Sequence, residues 1–71
     1  MSRTLLNRDQ FNAERSRLLK LLEAFYTPEE AKRWLATRHP ALGMQPSVLI
    51  LRGRGHEVEA EIERLETGAY V

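Results

Sequence analysis

The tetrapeptide Thr27-Pro28-Glu29-Glu30 constrains this chain more than any other stretch. A proline has no backbone N–H to donate, so Pro28 is excluded from a helix interior but suits the first helical position. Thr27 ahead of it offers an N-cap hydroxyl, and Glu30 at N3 completes a capping box. Both glutamates place negative charge on the positive end of the helix dipole. One helix must therefore finish before Thr27 and another begin after it. Ala31, Trp34, Leu35 and the stem of Arg38 share one face of the second helix. Pro40 disfavours helical geometry at His39, which predicts an end near Arg38. Ala41-Leu42-Gly43 then reads as a tight turn with Gly43 as its left-handed residue.

Upstream, Asn7 is a good N-cap with Gln10 at N3, and Leu6 can staple onto Phe11. Phe11, Leu18, Leu22 and Phe25 recur at helical spacing, widened by Leu19 and Leu21, which predicts a helix over 8–26. Arg15 interrupts that stripe and is expected to lay its stem along it. Downstream, the periodicity of Val48-Leu49-Ile50-Leu51 fits a buried strand or a short helix opened by Pro46. No second strand-like run is available to pair with it, which favours the helix. Gly53 and Gly55 bracket Arg54 in what reads as a flexible hinge. A last helix over 56–67 turns Val58, Ile62 and Leu65 inward and its glutamates outward, with Gly68 at C′. The expectation is an all-α fold, a small bundle of about four helices, two of them short. Its expected core is Trp34, Leu35, Leu42, Gly43, Leu49, Val58, Ile62 and Leu65.

With 71 residues and no cysteine, the core must be small and has no disulfide or thiolate metal site to reinforce it. Self-association or a partner is expected to help, a homodimer or higher oligomer in the first case. No apolar run is long enough for a membrane span and no signal-peptide core opens the chain, so the expected location is cytoplasmic. The formal net charge is +1, but its distribution is uneven. Segments 1–26 and 27–55 are net basic, whereas 56–71 carries Glu57, Glu59, Glu61, Glu63 and Glu66 against Arg64. Those glutamates are spaced as the solvated face of a helix, or as a docking face for a basic partner. The two histidines, His39 and His56, lack metal-ligand spacing, and no phosphate loop follows a strand. Neither an enzyme nor a cofactor or metal site is expected. Arg52 and Arg54 make the middle segment basic. No helix-turn-helix with a polar recognition face accompanies them, so direct DNA binding is not the favoured reading.

The string from Thr27 to Val71 resembles the toxin-binding domain of Xre/MbcA/ParS-type antitoxins. The resemblance rests on Ala31, Trp34 and Leu35; on Pro40, Leu42 and Gly43; on Pro46, Leu49 and, displaced by one, Leu51. It continues through Gly53 and Gly55 to Val58, Leu65, Gly68 and Tyr70, and covers about two-thirds of the chain in order and spacing. It implies an antitoxin that binds a RES-domain, NAD-consuming toxin and obstructs its active site with the last helix and the C-terminal tail. Carried onto this chain, the toxin-binding residues are Arg52, Arg54, Gly68, Ala69, Tyr70 and Val71. The division implied is 1–26 as an amphipathic helix for packing or dimerisation and 27–71 as the toxin-binding domain. Tyr70 can also serve as an intramolecular staple over Leu65. Many members carry a further N-terminal, Xre-like region, for which one helix before Thr27 is too little. Two other readings stay open, a helical adaptor module for another protein and a small DNA-associated regulator.

Overall fold

Each of the two predicted capping boxes closes. In the computed structural model, which describes residues 5–67, Asn7 Oδ1 accepts from Gln10 N at 2.8 Å while Gln10 Oε1 accepts from Asn7 N at 3.0 Å. These bonds satisfy N-terminal donors of α1, Arg8–Leu22. At α2, Pro28–Ala36, Thr27 Oγ1 accepts from Glu30 N at 3.2 Å and Glu30 Oε1 accepts from Thr27 N at 3.0 Å. Two more helices follow, α3 over Pro46–Leu51 and α4 over Gly55–Thr67. The described residues form an all-α bundle of four helices, of which α2 has nine residues and α3 only six. An isolated backbone bridge joins His39 and Met44.

The shortest helix holds the centre. α3 packs against α1, α2 and α4, and Leu49 and Ile50 are both fully buried. A helix wedged among three neighbours needs apolar side chains on successive positions, which explains why Val48-Leu49-Ile50-Leu51 shows no clean amphipathic period. Around it the core is completed by Leu18 and Leu22 of α1, Ala31 and Leu35 of α2, and Val58 and Ile62 of α4. Leu6 and Phe11 pack against this cluster from the entry to α1, as the staple requires. Of the expected core residues, Leu35, Leu49, Val58 and Ile62 are buried, while Trp34, Leu42 and Leu65 are partly buried around it. Gly43 is not a core residue. It is exposed, and its contribution is a φ of +81° in the turn whose Leu42 and Gly43 amides both donate to His39 O.

Three helix boundaries differ from the sequence reading. α1 stops at Leu22 rather than 26 because the chain tightens: Ala24 N donates to Leu21 O and Phe25 N to Leu22 O. These i→i−3 bonds rotate the last residues out of the α1 stripe. Phe25 is left 43% exposed, and Tyr26 packs against the core in its place. α2 stops at Ala36 rather than near Arg38, with Thr37 extended. Side chains satisfy the carbonyls of its last turn, Thr37 Oγ1 donating to Arg33 O at 2.7 Å and His39 Nε2 to Trp34 O at 2.9 Å. α4 begins one residue early, at Gly55.

The Gly53-Arg54-Gly55 segment is not a loose hinge. Gly53, with φ +77°, donates to Ile50 O at 3.0 Å, and Arg54 N donates to Leu49 O at 2.8 Å. This is the paired bonding of a Schellman cap, with Gly53 at C′. The open space around Gly53 means that a side chain there meets strain only in the backbone. Gly53→Ala should therefore cost about 1–2 kcal/mol, seen as a fall of several degrees in the thermal midpoint by circular dichroism. An unchanged midpoint would show that the cap does not need its left-handed residue.

Candidate partner-docking face

α4 carries half of the acidic residues, yet its glutamates do not all form a solvated face. Glu59 accepts from Arg17 Nη2 of α1 at 3.1 Å, and the same nitrogen donates to Glu14 Oε2 at 2.7 Å. The basic first helix and the acidic last helix thus meet through a shared guanidinium. Glu57 accepts two bonds from Arg54, at 2.7 and 2.9 Å, folding back over the start of its own helix. Glu61 lies 3.4 Å from Arg64 with its side chain only 12% exposed. Glu63 and Glu66 fit the solvated description: both are exposed.

These pairs shift ionisation in the direction their geometry requires. The Arg17 guanidinium hydrogen-bonded to Glu14 holds that carboxyl below the usual glutamate range, against a smaller opposing effect of burial. Reciprocally, Glu14 and Glu59 raise the Arg17 pKa. Arg54 likewise lowers Glu57. A depressed carboxylate pKa adds stability that is present above the unfolded value and lost as the pH falls through the folded one. For Glu14 that loss lies below about pH 4.3, the ordinary glutamate value. Glu14→Gln should therefore lower the thermal midpoint at pH 7 and flatten its decline below pH 5. A parallel decline in wild type and variant would remove Glu14 from the acid response.

The Glu14 carboxylate also explains Gly55. A Cβ built on that buried glycine would lie 2.6 Å from Glu14 Oε2, so a larger residue there would displace the Glu14 side chain. Sequence reasoning did not find this contact, because residues 14 and 55 meet only through the tertiary fold. The two helices also border an open groove of about 600 Å³, lined by Gln10, Glu14, Arg17, Gly53 and His56 among others.

Beside the C-terminal half of α4 lies a groove of different character, about 500 Å³ in volume, walled by Tyr26, Trp34, His39, Pro40, Ala41, Glu61 and Leu65. Trp34 and His39 stack with ring centroids 4.3 Å apart and planes tilted by 38°. The bond from His39 Nε2 to Trp34 O fixes the imidazole against the indole. Trp34 therefore has two roles: it packs against the core and presents the rest of its ring to the groove. Half-buried aromatic side chains held by their neighbours are the kind of surface on which protein partners anchor.

Of the six residues expected to bind the toxin, the structure describes Arg52 and Arg54. Arg52 caps α3 and Arg54 immediately precedes α4, both exposed. Gly68, Ala69, Tyr70 and Val71 lie outside the described residues, following α4 in the chain. The thirteen residues of α4, roughly 20 Å long at 1.5 Å per residue, come between Arg54 and Gly68 in the chain. Arg54 is occupied by Glu57, whereas Arg52 makes no ion pair among the described residues and sits beside Leu5, Val48 and Leu51. His56 is exposed at the start of α4, 3.9 Å from Glu57. Among the described residues no helix is long and apolar enough to cross a membrane. Comparison with protein families, curated proteins and solved structures returned no match to this chain.

Proposed function

We propose that this chain is a bacterial antitoxin that binds a RES-domain, NAD-consuming toxin in the cytoplasm and blocks its active site, with no chemistry of its own. The observation that carries the reading is the position of the aromatic groove. Tyr26, Trp34, His39 and Pro40 flank the half of α4 that leads into Gly68-Ala69-Tyr70-Val71, the segment that the resemblance assigns to the toxin's pocket. A partner engaged by the tail meets the groove at the same time, so α2, the Pro40–Gly43 turn and α4 act as one platform. The residues of the resemblance are distributed in keeping with this: Trp34 and Leu35 in α2, Gly43 at a left-handed turn, Pro46 opening α3, and Gly53 capping it.

In this mechanism the tail obstructs the dinucleotide pocket while the groove supplies binding area. Arg52, at the far end of α4, is left to meet an acidic group elsewhere on the toxin surface. The nucleic-acid reading is less well supported, since Arg54, one of the two arginines on which it drew, is held bidentately by Glu57. The test is size-exclusion chromatography with light scattering on this chain and a RES-domain protein encoded next to it. The expected result is a co-eluting complex. Separate elution would overturn the antitoxin reading and favour an adaptor for another protein.

A further inference from the structure

The flank of α4 opposite the aromatic groove is apolar at its centre and charged at both edges. Leu21 and Phe25 are among the large side chains left exposed, at 38% and 43%. Together with Ala24 and the edge of Ile62 they floor a groove of about 200 Å³ between the end of α1 and α4. Lys20 borders it on the α1 side, and Glu63 and Glu66 on the α4 side. Among the described residues, none of these three charged side chains makes an ion pair within the protomer.

We propose that this surface is the contact between two copies of the chain, related by a two-fold axis through the Leu21–Phe25 strip. A two-fold interface brings a patch against itself, so every positive edge must meet a negative edge of the same patch. This patch satisfies that requirement. The Lys20 of one protomer faces Glu63 and Glu66 of the other, twice over, while Leu21 and Phe25 of both close over the axis. Opposite-edge charges fix the orientation and disfavour a parallel arrangement, which would set Lys20 against its own copy. A core of eight buried apolar side chains gives a chain of this size good reason to associate. Glu61 and Leu65 line the aromatic groove while Glu59, Ile62, Glu63 and Glu66 line this one. A second copy seated here therefore leaves the proposed toxin-docking side open. The inference does not depend on the antitoxin reading, and its test contains no toxin.

The experiment is sedimentation equilibrium of the full chain alone, with helix content followed by circular dichroism. Wild type is expected to be a concentration-dependent dimer. Phe25→Glu, at a position exposed in the protomer, should raise the dimer dissociation constant by about 100-fold with helix content unchanged. Lys20→Glu alone, and Glu63→Lys with Glu66→Lys, should each raise it by about tenfold through like charges facing each other. Combining all three charge reversals in one chain should recover most of the loss, because the pairing is re-formed with its signs exchanged. A wild-type monomer up to about millimolar concentration would overturn the proposal. So would a dimer indifferent to Phe25→Glu, or charge reversals without rescue.

Discussion

Leu49→Ala should remove about 2–5 kcal/mol of stability, the cost of deleting most of a fully buried leucine and leaving a cavity. A domain of this length has a total margin of roughly 4–11 kcal/mol at 0.05–0.15 kcal/mol per residue, so the variant should lose much or most of its folded population at 37 °C. Leu49 is 0% exposed and lies in the helix that touches all three others, where collapse around the cavity is restricted. Ile50→Ala should be comparably damaging, and Leu51→Ala much milder, because Leu51 is 37% exposed. Urea unfolding of the three variants checks both the magnitude and the geometry. In a strand, alternate residues share a face, so Leu49 and Leu51 would suffer together and Ile50 would be spared. That pattern would contradict the helical assignment of this segment.

The second large effect concerns the C-terminal end. Deleting Tyr70 and Val71 should raise the inhibition constant toward the proposed toxin by roughly 30- to 1000-fold, the range of an aromatic hot spot worth about 2–4 kcal/mol. In the proposed mechanism the tail serves the toxin and not the core, so the thermal midpoint should move little. The comparison is an inhibition titration beside a melt of the same truncated protein. A large fall in the midpoint with inhibition intact would instead assign Tyr70 the staple over Leu65. Alanine at Trp34 is a poor substitute for this test, because the indole packs against the core as well as lining the groove.

The elements that could be read from the residues alone are those whose cause is local. Asn7 with Gln10, and Thr27 with Glu30, satisfy each other's backbone within three residues, so the sequence carries the whole motif. Pro46 at the start of α3 and the left-handed Gly43 are local in the same sense. The features that escaped depend on distant parts of the chain or on competition between bonding patterns. The apolar period of α1 runs through Phe25, but it cannot register that i→i−3 bonds take over after Leu22 and exchange Phe25 for Tyr26. Gly53 and Gly55 read as flexible when taken singly. The bonds to Leu49 and Ile50 and the carboxylate of Glu14 show two fixed glycines with different tasks. Four regularly spaced glutamates, 57 to 63, look alike in sequence, and only packing assigns Glu59 to Arg17 while leaving Glu63 exposed.

The candidate site divides along the same line. Trp34 was identified from its helical spacing as core, and the aromatic groove that it also lines arises when His39 and Pro40 fold back beside α4. Arg52 and Arg54 lie close in sequence to α4's start and far in space from its end. The tail residues grouped with them, Gly68 to Val71, lie outside the described residues. Leu21 and Phe25 entered the sequence reading as part of one buried stripe, and the end of α1 turns them outward.

The antitoxin proposal is tested most directly by NAD consumption of a RES-domain protein encoded beside this chain, titrated with the chain itself. Activity is expected to fall to background as the complex saturates and to return when Tyr70 and Val71 are removed. Full NAD consumption in the presence of excess chain would contradict it.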